Sequence, residues 1–421
     1  MSSTEKSLYR MLLFILGGTL AAALLVEGPL AALKGFMLLQ QSPGRLINDF
    51  TLIAGTGGAL LNASVAGFLA MGIIFLNKVR LSGPTLAAVF TIVGFSLFGK
   101  TPMNTAPILL GVFIAARIVQ KPFKSYIIIA LFGTALGPLT AYLAFEAGMT
   151  GVPALITGAL AGILVGMILP SMAMAMLRMH EGYNLYNLGL TCGFLGLFAA
   201  SILVAMQRDI AISVIWNDSP GILLTALTPG IAVVLIISGF LISGIKTTLA
   251  GIPRLLKLSG RLPTDFMDLT SPGTSLLNAG VMGLLGCAYV FIVGADFNGP
   301  VIGGLFTVIG FATFGKHPKN TLPVVVGVIA ATLLFGKGLA DPGPILALLF
   351  STTLAPLSGE FGPHIGFIGG FLHLVMVERT AAWHGGLDLY NNGFAGGLVA
   401  TFIVAIIEWF QSNKPAKARK K

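Results

Sequence analysis

The sequence predicts an all-α, polytopic transmembrane bundle made of two inverted-topology repeats. Each repeat holds about five full spans and one short, broken or re-entrant helix pair. Three observations carry this reading: composition, internal duplication and the placement of basic residues. Of 421 residues, 55% are hydrophobic and only 10% charged, with mean hydropathy +0.92; a soluble domain is nearer a quarter charged. Apolar runs long enough to cross a bilayer recur along the whole chain, and the 55 glycines suit close helix packing in lipid.

The duplication appears when the chain is shifted by 216 residues. FTIVGFSLFGKTPMNTAPILLG (90–111) then overlies FTVIGFATFGKHPKNTLPVVVG (306–327), with 12 of 22 positions identical. At the same shift Gly44-Arg45-Leu46 meets Gly260-Arg261-Leu262, Asp49-Phe50 meets Asp265-Phe266, and Asn62 meets Asn278. Further on, His180 and Leu185-Tyr186-Asn187 match His384 and Leu389-Tyr390-Asn391 at a shift of 204. The expected units are a first repeat over 1–215, a second over 216–410, and a basic tail over 411–421. The first apolar stretch resembles a signal peptide, but its counterpart near 226–243 implies a retained span.

Within the first repeat the pattern predicts helices over 8–27, 50–76, 84–98, 106–120, 125–145, 153–177 and 185–206. An amphipathic connection through Arg45 joins the first two. Basic residues orient them. Lys and Arg collect in cytoplasmic loops, and in the first half they flank the second, fourth and sixth helices (Lys78, Arg80, Arg117, Lys121, Lys124, Arg178). In the second half they instead follow the first helix (Lys246, Arg254, Lys257, Arg261). The pattern changes sides, so the halves are inverted and both termini are cytoplasmic, in a multi-pass protein of the cell membrane. The net charge of +10 is spread over span ends and the tail, which argues against a nucleic-acid partner. Cys192 and Cys287 sit in apolar spans and read as packing residues.

FGKTPMNTAP (98–107) and FGKHPKNTLP (314–323) interrupt apolar sequence at equivalent positions. Gly99 and Pro102 end one short helix, and Thr105 caps the next, with Pro107 in its first turn. Gly315, Pro318, Thr321 and Pro323 repeat the arrangement. Irregular backbone inside a membrane requires satisfaction by protein or a water-filled cavity. Two re-entrant tips meeting near the midplane would place Lys100, Asn104, Thr105, Lys316, Asn320 and Thr321, with two helix N-termini, around an anion or dipolar solute. Each lysine could equally neutralise helix-end carbonyls or snorkel to an interface. His317, in place of Thr101, titrates near neutrality in its ordinary form, which suits either an ion-coupling role or an ordinary polar one.

NLYNLGL (184–190) and DLYNNGF (388–394) open the last helix of each half. Asn187 and Asn391 fit N-cap positions, Tyr186 and Tyr390 fit a gate or an aromatic belt, and all four are candidate solute contacts. These turns resemble the Tyr-Asn-Gly turns of urea transporters, which enter a glycine-rich span in each of two inverted halves. Here Leu188 and Asn392 intervene before the glycine, and FGKxPxNTxP differs from that family's Pro-rich pore motif. Taken whole, the chain resembles a bacterial multipass family of unknown function, which implies no activity.

Asp49 and Asp265 sit where a helix begins, suiting either a cap or an ion-coupling role. Glu360 and His364, at i, i+4 spacing, suit a proton relay; a metal pair would lack a third ligand. No cofactor is indicated, and GTGGALLN (55–62) lacks a phosphate-loop lysine. The favoured function is a secondary transporter or solute-selective channel for a small polar or anionic solute, bound between the repeats at the bilayer midplane. The alternatives are a structural or assembly membrane protein, or an intramembrane enzyme, for which no catalytic cluster is evident. A homo-oligomer is compatible with the sequence.

Overall fold

A computed structural model describes residues 1–208 and 210–413. Most of the expected basic tail, residues 414–421, lies outside them. The first half consists of α1 (Ser3–Val26), α2 (Pro29–Leu39), α3 (Gly55–Leu76), α4 (Gly83–Phe95), α5 (Pro102–Ile118), α6 (Phe123–Phe145), α7 (Gly151–Met179) and α8 (Asn187–Ala205). The second half repeats the series as α9 (Ile222–Ser243), α10 (Ile245–Ala250), α11 (Pro272–Val293), α12 (Gly299–Ala312), α13 (Pro318–Leu334), α14 (Pro342–Phe361), α15 (Pro363–Trp383) and α16 (Asn391–Ser412). Among the described residues, 10 helices are long and apolar enough to cross a membrane, five in each half. The pairs α4–α5 and α12–α13 are shorter, as the sequence predicts. The chain is a multi-pass membrane protein, and large apolar side chains such as Phe14, Leu25, Leu241 and Ile292 face outward.

The short helices α4 and α12 form the centre. They run antiparallel along their full length: Gly83 lies against Thr313, Phe90 stacks edge-on to Phe306, and Gly299 lies against Leu97. Contact is backbone to backbone because the crossing positions are glycines. A Cβ on Gly94 would sit 2.9 Å from the Gly303 Cα, and one on Gly303 would sit 2.9 Å from the Gly94 carbonyl oxygen. Small residues permit such an approach between apolar helices. Phe90 and Phe306 are repeat-equivalent, so the pseudo-two-fold axis passes between them.

This packing corrects the expectation that the two breaks meet tip to tip. They lie at opposite ends of the α4–α12 pair. Thirteen residues at about 1.5 Å rise each separate their backbones by roughly 20 Å.

The repeated motifs satisfy the polar groups that each break exposes. The Asn62 amide donates to the carbonyls of Ser96 (2.7 Å) and Lys100 (2.8 Å), and Asn278 does the same to Ala312 (2.8 Å) and Lys316 (2.7 Å). Gly44 packs on Gly99 and Gly260 on Gly315 with no space for a Cβ, which accounts for the repeated Gly-Arg-Leu. The next residues tie the halves together. The Leu46 amide donates to the Gly386 carbonyl, and the Leu262 amide to the Gly182 carbonyl. Arg45 reaches the Gly385 carbonyl and pairs with Glu146 at 3.0 Å, while Arg261 pairs with Glu181 at 3.0 Å. The paired acids cap across the halves. Asp49 accepts from the amides of Thr51 and Gly299, and Asp265 from those of Met267 and Gly83.

Replacing Asn62 or Asn278 with alanine leaves two buried carbonyls without donors. Each substitution should cost about 1–3 kcal/mol, read as a lowered unfolding temperature of the purified protein in detergent. A neutral outcome for both would remove the assigned role.

Candidate functional site

The turns after the breaks are built differently from the expected caps. Thr101, not Thr105, is the N-cap of α5, and His317 that of α13. Thr101 Oγ1 accepts from the Asn104 amide at 3.2 Å, while Asn104 Oδ1 accepts from the Thr101 amide at 3.0 Å. In the second half His317 Nδ1 accepts from the Asn320 amide at 3.2 Å, so Nε2 carries the hydrogen and donates to the Leu258 carbonyl at 2.9 Å. His317 is thus a neutral cap in the threonine's place. Pro102 and Pro318 occupy the first helical position, where no N–H is needed, and Pro107 and Pro323 lie inside α5 and α13. The hydroxyls of Thr105 and Thr321 bond back to the carbonyls of Thr101 and His317. Asn104, Thr105, Asn320 and Thr321 are therefore occupied in shaping the breaks, and the amides opening α5 and α13 do not face a shared site.

The lysines are placed otherwise. Both are fully buried, and each reaches a tyrosine of the opposite half. Lys100 Nζ donates to Tyr390 Oη (2.6 Å) and Thr134 Oγ1 (2.7 Å). Lys316 Nζ donates to Tyr186 Oη and, at 2.7 Å, to Thr352 Oγ1. Each ammonium also lies over aromatic faces: Lys100 is 4.5 Å from the Tyr390 centroid, and Lys316 is 4.4 Å from that of Tyr186. Cation–π attraction is strongest where water is excluded. Among the described residues neither lysine has a carboxylate within salt-bridge distance.

Thr134 and Thr352 are not among the residues the sequence singles out. They sit in 3₁₀ turns that interrupt α6 and α14 at mid-length. Pro138 and Pro356, four residues on, cannot supply the helical N–H. The signal was a third register: TALGPL (134–139) matches TTLAPL (352–357) at a shift of 218.

Between the two Lys–Tyr pairs lies a cavity of about 300 Å³. Its aromatic wall is formed by Phe95, Phe132, Tyr186 and their repeat counterparts Phe311, Phe350 and Tyr390, with Phe314 added from the second half alone. Thr91 and Thr307 line it from α4 and α12, and the Thr91 hydroxyl is buried without a partner. The opening turns of α8 and α16 complete it, meeting where Gly189 touches Gly393. The helix N-termini that converge here are thus those of α8 and α16, whose positive ends favour a negative or dipolar group.

One end of the cavity is extended. Pro84, Ile128, Leu177, Leu262 and Pro263 line it, whereas their counterparts Pro300, Leu346, Ala381, Leu46 and Ile47 do not. The basic residues Arg80, Lys124, Arg178 and Arg261 lie within four positions in the chain of the residues lining that end.

Asn187 and Asn391 are first-turn residues of α8 and α16, and the N-cap positions are held by Tyr186 and Tyr390. Their side chains pin the tyrosine turns to the preceding helix. Asn187 donates to the Ala173 carbonyl (3.0 Å) and Asn391 to the Val377 carbonyl (3.0 Å). His180 Nδ1 accepts from the Asn184 amide, so its Nε2 donates to Asn187 Oδ1 at 3.0 Å; His384 bridges Asp388 and Asn391 likewise. The remaining candidates lie elsewhere. Asp49 and Asp265 are capping groups. Glu360 and His364 are exposed and share no helix face, because Gly362 (φ 93°) and Pro363 break the chain between α14 and α15. Among the described residues no cluster of three His, Cys, Asp or Glu could hold a metal.

Removing the Tyr390 hydroxyl (Tyr390→Phe) leaves Lys100 Nζ with Thr134 alone and should lower stability by about 1.5–3 kcal/mol, the range for a hydrogen bond to a charged group. In a double-mutant cycle with Lys100→Met the two losses should be clearly non-additive. Additive losses would show that the contact has no energetic weight.

Neither a curated protein nor a solved structure matches the chain. The family described as "Protein of unknown function (DUF1576)" matches residues 29–205 and 244–409, one region in each half. Since these regions make up most of its length, the chain belongs to that family.

Proposed function

We propose that the protein is a secondary transporter whose solute binds in the cavity between the repeats. The observation that carries this reading is the shape of the cavity: a core lined by equivalent residues of both halves, extended toward one end only. A carrier that alternates access through inverted repeats is expected to have such a site. A channel would show a path continuous to both sides.

The lining suggests the solute. Seven aromatic rings favour an apolar or planar body. Two helix N-termini and two lysines without anionic partners favour a carboxylate or another strongly dipolar group. A small organic solute with one such group satisfies both. Tyr186 and Tyr390 would meet it directly, with Lys316 and Lys100 behind them. The basic residues beside the open end support an inward-facing state with cytoplasmic termini. No catalytic step is assigned to the chain.

The purified protein in liposomes, screened against small carboxylates, amides and organic cations, tests the reading. Lys100→Met and Lys316→Met should each reduce uptake roughly tenfold or more, the effect of losing a charged hydrogen bond worth about 1.5–3 kcal/mol, while folded protein remains. Uptake of no class, or full uptake in both variants, would favour a structural role.

Access has its own test. A cysteine at Leu177 should react with an impermeant thiol reagent from the side bearing Arg178, and one at Ala381 should resist from the opposite side. Equal labelling of both would indicate a channel.

A further inference from the structure

One buried acid breaks the symmetry of the site. Asp388 opens the second tyrosine turn and is fully buried. Its Oδ1 accepts from the Tyr390 amide at 3.0 Å, and its Oδ2 has no hydrogen-bond partner. The equivalent residue of the first half is Asn184, also fully buried. Asn184 Oδ1 accepts from the Tyr186 amide at 3.2 Å and from the Thr353 hydroxyl. Its Nδ2 donates to the carbonyls of Tyr186 (3.3 Å) and Gly393 (3.1 Å).

The asparagine shows what the turn accommodates: an acceptor on one side and a donor on the other. A carboxylate supplies two acceptors, whereas a carboxylic acid supplies one acceptor and one donor. Leaving an ionised carboxylate buried with a bare oxygen is costly unless it is paired. The titratable groups that face Asp388 are Tyr390 and His384 from its own turn, Lys100 from the break after α4, and Cys192 from α8. The His384 ring is committed to the Asp388 amide and to Asn391. Lys100 is turned to Tyr390 and Thr134, with no salt bridge to Asp388.

We propose that Asp388 is a proton-binding site, loaded in the conformation described here, that couples proton movement to the solute cavity through Lys100 and Tyr390. The inference rests on the transporter reading above. In the loaded form the O–H on Oδ2 takes the place of the Asn184 amide. Release of that proton to water leaves a carboxylate, which draws the Lys100 ammonium away from Tyr390. Tyr390 already belongs to the cavity wall, and its hydroxyl is then free to bond a solute. No bond other than O–H breaks, and the proton is returned when Asp388 is reloaded from water. The first half, with Asn184, carries no such proton, so one proton is bound per molecule at this layer.

Infrared difference spectra of the full-length protein in lipid, titrated from acid to alkaline pH, test this without any solute. The wild type should show a protonated-carboxyl band that vanishes in Asp388→Asn and persists in Glu360→Gln. In Lys100→Met the band should survive to more alkaline pH, because the neighbouring cation that favours the carboxylate is gone. Asn184→Asp should add a second band. A wild type without the band, or a band unchanged in Asp388→Asn, overturns the proposal. A band that ignores Lys100→Met overturns the link to the cavity. These outcomes are read independently of uptake, so a failed transport screen and a failed proton site are separate results.

Discussion

A helix that stops inside an apolar interior strands carbonyls on one side of the break and amides on the other. No water is at hand to take them. This chain makes that interruption twice, after α4 and after α12, and most of its repeated polar residues answer the demand. Asn62 and Asn278 take the stranded carbonyls. Thr101–Asn104 and His317–Asn320 take the amides. Asp49 and Asp265 take the amides that open the partner half's short helix. With its hydrogen bonds assigned, each break becomes a rigid pedestal, and the lysine at its apex has one direction left to point.

That direction is across the molecular two-fold. Lys100 belongs to the first half and its tyrosine to the second; Lys316 reverses the assignment. The clips through Leu46 and Leu262, and the capping by Asp49 and Asp265, also cross between halves. The halves therefore do not form separate domains that happen to touch. Each supplies the groups that the other's broken helix lacks, which makes the interface inseparable from the fold. It also places the cavity where both halves control its walls.

Much of this is legible in the sequence. Span number, the short helix pairs and the duplication follow from hydropathy and self-comparison, because the bilayer demands long apolar helices and the two copies still share their polar punctuation. Lys100, Lys316, Tyr186 and Tyr390 stood out because a charged or amphipathic residue in apolar surroundings needs a reason. Orientation in space did not follow. Thr105 and Thr101 are both plausible caps by spacing, and only the fold shows that Pro102, not Pro107, begins the helix. The side-by-side packing of α4 and α12 depends on glycine contacts between halves that no local pattern announces. Thr134 and Thr352 were hidden by a two-residue change of register, and Asp388 by its likeness to Asn184 in size and setting.

The lopsided cavity carries a thermodynamic implication. Were the two halves identical in sequence, exchanging their conformations would produce a molecule of equal energy whose opening pointed to the other side of the bilayer. On the carrier reading proposed above, the resting preference for one side would then reside in the minority of positions where the halves disagree, such as Thr101 against His317, Ala135 against Thr353 and Asn184 against Asp388. Direction, in this architecture, is written in the mismatches.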